Sequence, residues 1–203
     1  MRAAVIHAPR DIRVEDRETP EILAPTDAVV RVVAACVCGS DLWPYRGVRD
    51  TKEPRAIGHE FVGVVEQVGD AAGSLRQGDF VIAPFTTNDG TCQACAHGMT
   101  SGCEHGSTFG VTPDAYGLPL GGAQAEYVRV PDAAATLVVV PGPVDDALVP
   151  SLLTLSDVFS TATTQRSRRA SARARPSSWS ATARSGCPRS SRRSGSAPSA
   201  SSR

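Results

Sequence analysis

Short apolar runs punctuated by polar residues recur along most of the chain. They are "AAVIH" (3–7), "DAVVRVVAAC" (27–36), "FVGVVEQVG" (61–69), "DFVIA" (79–83), "AEYVRV" (125–130) and "ATLVVV" (135–140). Each is bounded by Gly, Pro or Asp, the residues that start and stop strands, so each predicts a β-strand. Helical periodicity is scarce until "DDALVPSLLTLSDVF" (145–159), where Leu148, Leu152, Leu155 and Phe159 recur at roughly helical spacing. The pattern therefore predicts a mostly β domain (1–145) and an exit helix (146–161).

The hydrophobic pattern then stops: the last 44 residues, after Phe159, contain no Val, Ile or Leu. Charge splits at the same place. The 203 residues balance 21 basic against 21 acidic side chains, yet every acid lies at or before Asp157. Residues 1–161 hold ten Arg and one Lys against all 21 acids, whereas residues 162–203 hold ten Arg, thirteen Ser, eight Ala and no acid. A segment of that composition buries too little apolar surface to offset its ordering entropy, so an acidic folded body precedes a basic tail expected to be disordered. Arg and Ser would suit phosphate contacts, making a zinc module with a nucleic-acid-binding tail the alternative reading. Regularly interleaved aromatics are missing, with Trp179 alone, which argues against nucleic acid as a partner. No apolar run is long enough to span a bilayer and "MRAAVIHAPRDIRVED" lacks a secretory apolar stretch, so the expectation is a cytoplasmic protein with no membrane partner.

Six cysteines in such a chain favour metal ligation or plain packing over a disulfide framework. Cys38 opens "CGSD", and "GHE" presents His59 and Glu60; thiolate, imidazole and carboxylate together make a suitable zinc set. Neither element alone is specific, because a buried cysteine also packs as a small hydrophobe. Gly58, Gly63 and Gly69 frame the second element, where the backbone turns tightly or approaches its neighbours closely. A further cluster, "NDGTCQACAHGMTSGCEHG" (88–106), carries Cys92, Cys95 and Cys103, leaving one tetrahedral position to fill. Cys36, on the strand before "CGSD", reads as core packing.

Taken together, these residues resemble the zinc-dependent alcohol dehydrogenases of the medium-chain dehydrogenase/reductase family, over residues 1–161. The resemblance implies a GroES-like β-barrel carrying two zincs, then a Rossmann domain that binds NAD(P). It also implies a small alcohol or aldehyde substrate and homo-oligomers. Carried over position by position, Cys38, His59 and Asp157 match ligands of the catalytic zinc, and Glu60 sits beside the metal. Asp157 would lie at the junction with the second domain, whose geometry fixes it. Asp41 matches the acid that orients the ligating histidine. Ser40 matches the hydroxyl that relays the alcohol proton, although a turn or helix cap would explain it equally well. In the cysteine loop the family pattern has four thiols, and Asp89 stands where the first would be. Asp89, Cys92, Cys95 and Cys103 either close around a structural zinc as a mixed set or form a reduced, flexible loop. His97 and His105 are expected on the surface.

The expected glycine fingerprint of a cofactor domain does not follow Thr161. The Ser/Arg/Ala segment does, however, decode as one. If one base is lost after the Thr161 codon, the first two bases of each later codon are the last two of an original codon. Ser then stands for an apolar residue, Ala for Gly and Thr for Asp, among the options left by the free first base. "SSWSATARSG" (177–186) becomes Val-Val-Val-Val-Gly-Asp-Gly-Ala-Val-Gly, a buried strand running into a dinucleotide-binding turn. The tail is accordingly expected to be an out-of-frame reading, and the 203-residue chain to be a truncated form without catalysis.

Overall fold

The computed structural model describes residues 1–110, 113–164 and 166. The chain divides into the units Met1–Thr163 and Thr164–Arg203. The tail expected to be disordered therefore lies outside the described residues, apart from positions 162–164 and 166.

Among the described residues of the first unit there are eight strands: β1 Arg2–Ala8, β2 Asp11–Asp16, β3 Ala28–Ala35, β4 Arg55–Ala56, β5 Phe61–Val68, β6 Phe80–Ala83, β7 Tyr127–Val130 and β8 Val138–Val139. They form a three-stranded sheet, β2-β1-β4, and a five-stranded sheet, β7-β3-β5-β6-β8. Neighbouring strands pair antiparallel throughout. A bridge between Ala3 and Ala125 links β1 to the approach to β7. The fold is mostly β, as the spaced apolar runs predict.

The core explains why those runs are Val-rich. Val30, Phe61, Val65, Val81, Val128 and Val130 are all buried in one cluster, where β-branched side chains fill the pleated surface. Phe61 meets Phe109 edge to face at 5.3 Å, which fixes the loop carrying Phe109 over the start of β5. Two glycines around "GHE" are needed for different reasons. Gly58 sits at φ +92°, where a side chain is strained, while at Gly63 a Cβ would collide with the backbone of Arg31 on β3. Gly63→Ala is expected to cost about 1–3 kcal/mol, the usual penalty of overpacking, read as a lower urea midpoint.

Two expectations are corrected, and one strand appears that no apolar run marks. The strand read from 135–140 is split: a short helix, α3 (Ala133–Thr136), precedes the two-residue β8. Asp132 at φ 47° turns the chain, and Thr136 is locked by its hydroxyl, which accepts from the Asn88 amide at 3.0 Å. β2, a polar segment with little apolar alternation, was invisible to the pattern yet pairs with β1 along its length.

The exit helix of 146–161 is the second correction, because it is not continuous. A 3-10 turn at Asp146–Leu148 leads to α4, Val149–Leu153, then a second 3-10 turn at Thr154–Ser156. Asp157 leaves helical geometry (φ −146°, ψ −68°), and helix resumes over 158–164. The break has a cause: Ser156 is buried, and its hydroxyl donates to the Phe61 carbonyl at 3.1 Å, pulling this turn onto β5. The residues that pack are Val149, Leu152 and Leu153, against Val62 and Ile82, while Leu148, Leu155 and Phe159 stay exposed. Of the four residues that helical spacing selected, only Leu152 packs among the described residues. The remaining short helices are α1, Leu42–Tyr45, and α2, Gln93–Ala96. No helix among the described residues is long and apolar enough to cross a membrane.

Candidate metal centres

β3 and β5 pair so that Ala35 faces Phe61, which brings the segment after β3 beside the segment before β5. The first carries Cys38 and the second carries His59 and Glu60. The break after Ser156 delivers Asp157 to the same place. One ligand atom from each of Cys38, His59, Glu60 and Asp157 lies within 4.8 Å of all the others. Cys38, Ser40, Asp41, His59, Phe109 and Asp157 are among the walls of a cleft of about 320 Å³.

The groups behind these atoms orient them. A 3-10 turn at Gly39–Asp41 aims Asp41 back at its own start, where Oδ2 accepts the Cys38 amide at 2.9 Å. Asp41 Oδ1 lies 3.5 Å from His59 Nδ1, so Nε2 is the ring atom turned toward the cluster. Gln124 Nε2 reaches Asp41 Oδ2 at 3.4 Å and holds the turn from behind. The Asp41 bond raises the His59 pKa to about 9, with the Cys38 thiol adding to it and burial opposing it. Ser40 is part of the turn, yet its hydroxyl stands 3.4 Å from His59 Nε2, at the open side of the cluster. Asp157 is steadied locally, accepting from the Thr161 hydroxyl at 2.8 Å. Thiol, imidazole and carboxylate converge as a borderline metal requires, and their spacing suits bonds of about 2.0–2.3 Å to a shared ion.

Cys36 departs from the expectation of core packing. Its half-buried thiol donates to Glu60 Oε2 at 2.9 Å. Burial and that bond push its pKa up to about 12, so it keeps its proton.

The second cluster lies in the connection between β6 and β7. Cys92 precedes α2, whose single turn swings Cys95 back, and the 3-10 turn Thr100–Gly102 returns Cys103. One ligand atom from each of Asp89, Cys92, Cys95 and Cys103 again lies within 4.8 Å of all the others, and the Cys92 and Cys103 sulfurs are 3.8 Å apart. Crowding splits the thiols: burial and its neighbours push Cys95 up to about 12, while backbone amides of Glu104 and Cys95 lower Cys92. The five described cysteines are all free.

Asp89 is more firmly built in than a surface aspartate. Its Oδ1 accepts from the amides of Thr91 (2.8 Å) and Cys92 (3.1 Å), and its Oδ2 meets His105 Nδ1 at 2.6 Å. The His105 bond and then the two amides hold this carboxyl far below the usual range, and Asp89 in turn raises His105. His97 is exposed, its Nδ1 2.7 Å from the Gln93 carbonyl, as expected of a surface residue. His105 is exposed as expected, but its grip on Asp89 was not legible, since 16 residues separate the two with no spacing rule between them. His105→Ala is expected to weaken metal binding by this loop about 10–100-fold, measured by competition with a chromophoric chelator.

Known proteins resemble this chain in sequence and fold. Residues 24–142 match the alcohol dehydrogenase GroES-like domain. The zinc-type alcohol dehydrogenase B of Aspergillus flavus is 39% identical over 161 residues, a match covering 79% of this chain and 36% of that protein. Alcohol dehydrogenase TADH from Thermus sp. ATN1 superposes with a TM-score of 0.72 at 37% identity, covering 80% of this chain and 46% of that one. An Escherichia coli CFT073 alcohol dehydrogenase in complex with NADH matches at 32% identity and a TM-score of 0.57, over 73% of this chain and 41% of that one. The chain thus spans about a third to a half of the length of these relatives. With a domain match over more than half its residues and the fold to accompany it, the chain belongs to the zinc-dependent alcohol dehydrogenases of the medium-chain dehydrogenase/reductase family.

Proposed function

We propose that residues 1–161 are the catalytic domain of an enzyme that oxidises a small alcohol to an aldehyde or ketone, with hydride passing to NAD(P). The observation that carries this is the convergence of Cys38, His59, Glu60 and Asp157 at one cleft, with Asp41 and Ser40 on either side of the imidazole. Cys38, His59 and Asp157 would hold a zinc. Zinc there supplies Lewis acidity, drawing electron density from an alcohol oxygen and easing loss of its proton.

The side chains divide the rest of the work. Asp41 fixes the ring of His59, and Ser40, at the open side beside Nε2, takes the hydroxyl proton toward solvent. Phe109 and Pro44 wall the cleft and keep water from the reacting carbon. NAD(P), when bound, would accept the carbinol hydride, which together with the hydroxyl proton accounts for the two protons and two electrons the alcohol loses. Asp89, Cys92, Cys95 and Cys103 would hold a second, structural zinc, closed to solvent by four protein ligands.

The reading extends to the segment after Thr161, which decodes as the start of a cofactor domain in another frame. The polypeptide of these 203 residues would then bind metal without binding NAD(P). Insertion of one base after the Thr161 codon tests this. The repaired reading frame should contain the glycine fingerprint and yield a protein that reduces NAD(P) with alcohols. A reading frame without the fingerprint, or alcohol oxidation by the 203-residue chain itself, would refute the proposal.

A further inference from the structure

Glu60 is 2% exposed, and a carboxylate so deeply buried is costly unless something satisfies it. Its two oxygens have different surroundings. Oε2 accepts the Cys36 thiol at 2.9 Å, and Oε1 lies 3.9 Å from Nε2 of His59, a member of the convergent cluster. The thiol's position is set by the sheet: the β3–β5 register runs one step past Ala35 and Phe61, where the Cys36 amide donates to the Glu60 carbonyl at 3.3 Å. Gln124 Nε2 reaches the Cys36 carbonyl at 3.4 Å and Asp41 at the same distance, so one amide ties Cys36 to the turn that orients His59. Backbone and side chain thus join the same two residues, and the thiol holds one carboxylate oxygen while the other faces the cluster.

We infer that Cys36 is a positioning residue: its thiol tethers Glu60 through Oε2, leaving only Oε1 toward the metal position shared by Cys38, His59 and Asp157. This rests on the zinc reading of that cluster. The tether also draws electron density from the carboxylate, which makes Glu60 a poorer ligand. Without it both carboxylate oxygens are free to turn toward the centre. The thiol thereby keeps a coordination position for substrate oxygen, acting through Glu60 rather than by touching substrate.

Cobalt(II) is the probe, because its visible bands report ligand number and geometry. The 203-residue chain would be titrated alongside Cys36→Val, which has similar volume but no donor, and Cys36→Ser, which keeps one. Difference spectra against the unsubstituted chain cancel the cysteine-loop centre. Cys36→Val is expected to bind cobalt at the cleft about 10-fold more tightly, with weakened bands as a carboxylate enters, the scale that groups behind a ligand carry. Cys36→Ser should resemble the unsubstituted chain. In a Glu60→Gln background, Cys36→Val should have no effect. A Cys36→Val spectrum and affinity identical to the unsubstituted chain, with cobalt bound, would overturn the tether alone. The same shift in both backgrounds would also overturn it, by showing that Cys36 acts through packing. Absence of cobalt from the cleft of the unsubstituted chain would overturn the zinc reading, and the tether with it.

Discussion

Arg129→Met is expected to lower the unfolding free energy by about 3–5 kcal/mol, the cost of breaking a buried ion pair from one side. Arg129 is 2% exposed on β7. It donates from Nη1 to Asp27 Oδ2 at 2.8 Å, and from Nη2 to Asp114 Oδ2. Those carboxylates organise two loops: Asp27 Oδ2 also accepts the amides of Leu23 and Ala24, and Asp114 Oδ1 those of Tyr116 and Leu118. Removing the guanidinium leaves two buried carboxylates with no cation and frees both loops. Urea unfolding with a tryptophan or circular-dichroism signal would measure the loss.

The same variant should change the acid limb of stability. Burial pushes the Asp114 carboxyl up, but the Arg129 bond and the Leu118 amide outweigh it and leave the group below its ordinary value. A carboxyl lowered by folding contributes stability that is fully present above the unfolded pKa of about 3.9 and is lost as pH falls through the lower folded value. Stability of the unsubstituted chain should therefore fall as pH drops below about 4. In Arg129→Met, where only the Leu118 and Tyr116 amides oppose burial, the Asp114 contribution should shrink, so that acidification through this range costs less stability.

The second large effect is on the cysteine loop. Cys103→Ala removes one of four convergent ligand atoms and the acceptor of the Asp89 amide, 3.4 Å away. Metal affinity of the loop should fall by more than the roughly 10–100-fold that losing an outer partner costs. Limited proteolysis should then cut within 88–106 while the two sheets persist. The β-sheets draw their stability from the Val-rich core, whereas this loop holds only short turns around its ligands.

What the sequence revealed and what it hid follow from one physical distinction. Strands β3, β5, β6 and β7 were legible because their cores are buried, so apolar runs mark them. β2 was not, because its residues are mostly exposed and pairing with β1, rather than burial, makes it a strand. Arg129 was hidden for the opposite reason: "YVRV" reads as valines inward and arginine outward, yet loops 23–27 and 114–119 cover the outer face and bury it. In the cleft, Cys38, His59 and Glu60 stand in short motifs whose spacing can be read directly. Asp157 was placed by resemblance, and the break that delivers it comes from Ser156 reaching Phe61, a contact between residues 95 apart. Cys36 and His105 act through partners far away in sequence, Glu60 and Asp89, which no local pattern joins.

The most direct test of two zinc centres in this domain is elemental analysis of the purified 203-residue chain after zinc loading and removal of excess metal. Two zinc ions per chain are predicted, one for each cluster. His59→Ala should lose one and keep the other, and Cys103→Ala should lose the complementary one. Zinc absent from the unsubstituted chain, or retained in full by both variants, would contradict the account.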